Sequence, residues 1–123
     1  MIYAVRLSPG AEREVAEATV RIADIADRED AGIEWYVGLK ETAASLSENP
    51  RRFQVQADDS RRIGQEVRRL LYQRTKSSTH AYHLYYSVED QGEDGPRVTI
   101  IHVRHASRKP ITRAEAKDIL GGS

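Results

Sequence analysis

Residues 82–105 read Tyr82-His-Leu-Tyr-Tyr-Ser-Val-Glu-Asp90-Gln-Gly-Glu-Asp-Gly-Pro-Arg-Val-Thr-Ile100-Ile-His-Val-Arg-His105. Two apolar, β-branched and aromatic runs flank a short acidic, glycine-bearing link. The first run alternates: Tyr82, Leu84, Tyr86 and Val88 fall on one face, His83, Tyr85 and Ser87 on the other. The second run, Arg97–His105, puts Val98 and Ile100 on one face and Ile101 and Val103 on the other, as a central strand does. His102 and Arg104 share a face, and His105 takes the opposite one. The link Asp90–Pro96 suits a hairpin, so Tyr82–Glu89 and Arg97–His105 are expected as antiparallel neighbours.

Upstream, Val67–Gln73 reads as another strand, joined to the pair by the short basic link Arg74–Thr79. The last three strands should therefore form a meander. Within Arg68-Arg69, strand alternation sends one guanidinium to each face. Further back, Arg51–Gly64 is polar and without a clear period, and it reads as a surface crossover. Before it lie two amphipathic helices. Ser8-Pro9-Gly10 starts the first, with Ser8 as N-cap and Pro9 at the first helical position. Val15, Ala18, Ile22 and Ile25 follow at helical spacing to about Arg28. Asp30 is a candidate N-cap for the second, Ala31–Glu48, which aligns Trp35, Leu39, Ala43 and Leu46 until Asn49-Pro50 stops it. Ile2–Leu7 is a first strand. Thr112-Arg-Ala-Glu115 is a possible capping box for a short final helix. The reading is a single α+β domain over residues 1–123, β-α-α-β-β-β(-α). A helical hairpin packs on one face of a small antiparallel sheet, and the other face stays open.

Length and composition agree with this. A chain of 123 residues fits one domain. With 39% hydrophobic and 31% charged residues it is charge-rich but able to build a core. No run approaches a membrane span. No basic-then-apolar leader opens the chain, and a cytoplasmic protein without membrane contact is expected. The absence of cysteine excludes disulfides, thiolate zinc sites and cysteine nucleophiles. No metal site or other cofactor is expected, because the four histidines lack a helical His-x-x-x-His pair. Net charge is zero but uneven. Residues 1–50 carry five basic and ten acidic side chains, residues 51–113 thirteen and seven. That asymmetry points to a polar partner on the basic half.

Four segments, in order, carry a resemblance. They are Tyr3-Ala-Val-Arg-Leu-Ser-Pro-Gly-Ala-Glu12, the Trp35 helix, Val67-Arg-Arg-Leu-Leu-Tyr72, and the strands Tyr82–Val88 and Val98–His105 with Ala106-Ser-Arg-Lys-Pro110. Over residues 2–111 the chain resembles the RelE/ParE superfamily of toxins from type II toxin–antitoxin systems, most closely the ParE-like plasmid-stabilisation branch. The resemblance implies the β-α-α-β-β-β fold and a toxin neutralised by a cognate antitoxin protein. It also implies one of two targets. ParE-like members inhibit DNA gyrase. RelE-like members cleave messenger RNA on the ribosome.

Cleaving RNA without a metal needs a base, an acid and cations for the phosphorane. His83, His105 and Arg104 are the catalytic candidates if this chain is a ribonuclease; His102 and the tyrosines Tyr82, Tyr85 and Tyr86 are further possible parts. Arg68, Arg69, Arg108 and Lys109 are candidates for binding target or phosphate. The RelE-like nucleases usually carry Arg where this chain has His83, and an Arg and a final Tyr where it has Ala106 and Pro110. A methyl group cannot stabilise a phosphorane, and proline cannot donate a proton. The expected function is therefore gyrase inhibition by docking. The alternatives are a ribosome-dependent endoribonuclease and a degenerate, non-toxic member of the family. Tyr82, Leu84, Tyr86, Val88 and Trp35 are expected in the core rather than the site. An exposed sheet edge would let an antitoxin strand, or a second copy in a homodimer, pair with it.

Overall fold

The computed structural model describes residues 1–74, 80–108 and 111–122. The expected link at 74–79, with Lys76, lies almost wholly outside them, and so do Lys109 and Pro110. The described residues form strand β1 (Ala4–Leu7), helices α1 (Pro9–Ala26) and α2 (Glu29–Ala44), then two short 3₁₀ turns (Ser45–Ser47 and Pro50–Arg52). Helix α3 (Ala57–Ile63), strands β2 (Arg68–Tyr72), β3 (Tyr82–Gly92) and β4 (Gly95–His105), and helix α4 (Arg113–Gly122) follow. The class is α+β, as read. No helix among the described residues is long and apolar enough to cross a membrane.

The sheet order is β1-β4-β3-β2. The last three strands form the expected antiparallel meander, with β4 central. The sheet as a whole is mixed, however, because β1 runs parallel to β4, Ala4 facing Arg97 and Leu7 facing Ile100. The two intervening helices make that possible, since they return the chain to its starting end before the meander begins.

Local chemistry sets the helix ends. The Ser8 hydroxyl accepts from the Ala11 N–H at 3.1 Å, and Pro9 opens α1. Helix α1 stops where Asp27 turns left-handed, at φ 52°. Ile25, in the last turn, is exposed, not buried as its spacing suggested. Helix α2 begins after Arg28, two residues earlier than read; Asp30 lies inside the first turn and meets Arg28 at 3.7 Å. An acid in the first turn suits the positive helix end as well as an acid at the cap does.

The main core lies between this hairpin and the sheet. It holds Val15, Ala18, Ile22, Trp35, Leu39, Ala43 and Leu46 against Leu70, Tyr72, Tyr82, Leu84, Tyr86, Val98, Ile100 and Val103. Trp35 is a packing anchor, its ring 4.9 Å from Tyr82 and 5.9 Å from Tyr72. Gly32 lets α2 approach α1 closely; a Cβ there would meet the Thr19 carbonyl oxygen at 2.5 Å.

Two differences from the sequence reading shape the other face. The supposed crossover 51–64 contains α3, and α3 and α4 together cover part of the face expected to be open. Ile63, Val67, Tyr85, Ile101, Ile111, Ala116 and Ile119 form a second, smaller core there. Strand β4 also carries a bulge: Tyr85 faces His102 while Tyr86 faces Ile100, so Ile101 is the extra residue. Ile101 and His102 consequently both serve the second face, and Val103 rejoins Val98 and Ile100 in the main core. Simple alternation had put Val103 with Ile101. The β3–β4 hairpin is also tighter than read. Pairing continues to Gly92 and Gly95, across a turn at Glu93-Asp94, and Gly95 takes φ 97°. Arg97 holds Glu89 across the strands at 3.3 Å, so the acidic segment is drawn into the ladder.

Candidate functional site

Between α3 and the β2–β4 end of the sheet lies a cleft of about 470 Å³. Strand pairing assembles its floor. Arg69 on β2 faces Tyr85 on β3, and His83 on β3 faces Arg104 on β4. All four side chains point away from the main core. The β4 bulge is what allows this: without it Arg104 and His102 would share the face of Val98 and Ile100. Arg108, with Arg62 and Asp59 of α3, lines its walls.

The cleft is cationic at its base. Burial pushes the His83 imidazole down to about 4, and the nearby Arg69 and Arg104 guanidiniums push it the same way. At neutral pH His83 is therefore an uncharged, weakly basic ring between two fixed positive charges. Its ring lies 6.2 Å from that of Tyr85. The Tyr85 phenol is buried, and burial raises it above its ordinary value despite a hydrogen bond with Arg69 that works the other way. Acids enter from the walls. Arg62 meets Asp59 at 3.6 Å, and Glu115 of α4 approaches Arg104 at 3.5 Å and Arg108 at 3.6 Å.

The residues singled out from the sequence divide into two groups. Arg69, His83, Arg104 and Arg108 meet in the cleft. His105 borders it, but its ring packs edge-on against Tyr82 at 5.2 Å, and its Nδ1 accepts from the Ser107 N–H at 3.1 Å. It also lies 2.6 Å from the Ser107 hydroxyl. That ring is engaged in the turn after β4. Arg68 takes the other direction. Its Nη1 donates to the carbonyl oxygens of Phe53 at 2.6 Å and Arg51 at 3.1 Å, pinning the 3₁₀ turn against the sheet edge. One arginine of the pair serves the cleft and the other the scaffold, as strand parity required. Lys109 is outside the described residues.

The sequence reading missed Asp59, Arg62 and Glu115 as neighbours of the site. A signal for α3 was present in Asp58-Asp59 followed by Arg61-Arg62 and Gly64: acids in the first turn, bases in the last, and glycine at the left-handed cap, φ 92°. The capping box did locate Glu115; its N–H donates to the Thr112 hydroxyl at 3.1 Å. Among the described residues no cluster of three or more His, Asp or Glu is placed to hold a metal ion. No protein-family model matches the chain, and no curated protein matches it either.

Proposed function

We propose that this chain is the toxin of a type II toxin–antitoxin module, a RelE/ParE-like protein held inactive by a cognate antitoxin. In this reading it acts in ParE-like fashion, by docking on DNA gyrase rather than by cutting RNA. The element order, with a helical hairpin on one face of the sheet and a cationic cleft on the other, supports the superfamily reading. The observation that carries the choice of branch is the state of the cleft. His83 is wedged between Arg69 and Arg104 and lies too low to hold a proton at neutral pH. Tyr85 is buried and raised. Neither is tuned to give a proton to a leaving ribose oxygen, which favours a group titrating near the working pH. The arginines remain competent to grip an acidic or phosphate-bearing surface.

The ribonuclease reading keeps one specific support: the convergence of Arg69, His83 and Arg104 about a single point. Induction of the chain in bacteria, with mapping of messenger-RNA 5′ ends, separates the readings. Growth arrest with intact messages, followed by inhibition of gyrase supercoiling by the purified protein, is the expected result. New ends within translated codons would overturn it in favour of the ribosome-dependent nuclease. Growth without arrest would indicate a degenerate member.

A further inference from the structure

Glu115 of α4 does something the docking reading does not require. Its carboxylate faces three nitrogen-bearing side chains at once, and Oε1 also accepts from the Thr112 N–H at 3.5 Å. Oε1 lies 3.5 Å from Arg104 Nη2, and Oε2 lies 3.6 Å from both His102 Nε2 and Arg108 Nη2. The Arg104 contact is a long hydrogen-bonded ion pair, and the two 3.6 Å contacts lie beyond hydrogen-bond reach. Glu115 Oε2 is buried yet has no hydrogen-bond partner among the described residues. The opposite side of His102 is held quite differently. Its Nδ1 meets Glu14 of α1 at 2.8 Å, and the other Glu14 oxygen accepts from the Val103 N–H at 3.0 Å. The α1 side is formed by short hydrogen bonds, whereas the α4 side is held by longer contacts, the shortest at 3.5 Å. A cavity of about 260 Å³ lies along this seam, lined by Glu14, His102, Arg108 and Glu115.

Arg104 and Arg108 also line the cleft on their other side. The carboxylate of α4 thus neutralises, from behind, two guanidiniums that the cleft offers to a target. We propose that α4 is an autoinhibitory arm, with Glu115 an internal substitute for the anionic group of the target on Arg104 and Arg108. An anion that enters the cleft with better hydrogen-bond geometry draws these guanidiniums forward, and α4 loosens. The proposal rests on the reading that the cleft meets an anionic group. It does not depend on which macromolecule bears that group.

The test uses the purified full chain with inorganic phosphate as the probe, so its outcome is independent of growth arrest. Phosphate affinity is read from amide shifts in β3 and β4, and the opening of α4 from amide hydrogen exchange. Phosphate should bind the unmodified protein weakly and speed exchange in α4. Glu115→Gln should bind phosphate about fivefold more tightly, the scale of releasing one partly exposed ion pair. Its α4 amides should exchange faster even without phosphate. Glu115→Asp, which keeps the charge but shortens the reach, should fall between the two and guards against a folding defect in the carboxamide. Glu14→Gln removes an equal charge that touches neither arginine, and its affinity should stay within about twofold of the parent. Equal tightening by Glu14→Gln and Glu115→Gln would reduce the effect to net charge and overturn the proposal. So would unchanged affinity in Glu115→Gln, no phosphate binding by any form, or α4 exchange that phosphate slows.

Discussion

His83 ties the fold to pH in a direction that can be worked out. Its folded value is about 4, against 6.5 for the free side chain. The unfolded chain therefore takes up a proton that the folded chain refuses. Above about 6.5 both states are neutral at this position and the full stability is present; it declines as pH falls toward 4, where both states become charged. The gap corresponds to about 3.4 kcal/mol at full strength. The ring is only half-buried and solvent screens the guanidiniums around it, so about 1.5 kcal/mol is the expected effect. Urea unfolding at about pH 7.5 and about pH 4.5 measures it, with His83→Gln as the reference that cannot titrate. The parent should lose about 1.5 kcal/mol more than the variant between the two conditions, because all other titrations are shared. A ring-proton titration should place the midpoint clearly below the free side chain's 6.5. Identical pH dependence in parent and variant, or a midpoint near the free value, would refute the account of the cleft as a desolvated, cationic site.

Other predictions follow from the same contacts. Tyr86 is fully buried, and its hydroxyl donates to the Pro50 carbonyl at 2.6 Å; Tyr86→Phe should cost about 1–2 kcal/mol in urea unfolding, because the carbonyl is left without its donor. Gly32→Ala drives a methyl onto the Thr19 carbonyl and should cost about 1–3 kcal/mol by the same measurement. The neighbours Arg68 and Arg69 should separate cleanly. Arg68→Ala frees the Arg51 and Phe53 carbonyls and should destabilise by about 1.5–3 kcal/mol. Arg69→Ala removes the hydrogen bond to Tyr85, should cost only about 0.5–1 kcal/mol, and, on the toxin reading proposed above, should weaken growth arrest.

Strand β3 is the most legible part of the chain. Its strict alternation assigned Tyr82, Leu84 and Tyr86 to the core and His83 to the other side, and the same parity divided Arg68 from Arg69. Strand β4 resisted, because Val98-Thr-Ile-Ile-His-Val103 is apolar on both faces and alternation alone cannot reveal an extra residue. Only the pairing with β3 exposes the bulge at Ile101. Helix α3 was hidden by its seven residues, too few to establish a period. The parallel contact of β1 with β4 joins residues more than ninety apart, beyond any local pattern. The cleft was legible in its floor, where Arg69, His83 and Arg104 could be named, and illegible in its walls. Asp59, Arg62 and Glu115 come from helices whose position depends on the second core, a tertiary fact no spacing encodes.

The central place of β4 has a consequence during synthesis. It is the fourth strand to leave the ribosome, yet it alone touches both β1 and β3. Until residues 95–105 emerge, β1 has no partner and β3 has only β2. A nascent chain short of that point lacks the sheet's middle, and with it Arg104 of the cleft floor. Products that end before residue 105 should therefore lack a closed sheet and, on the toxin reading proposed above, should not arrest growth.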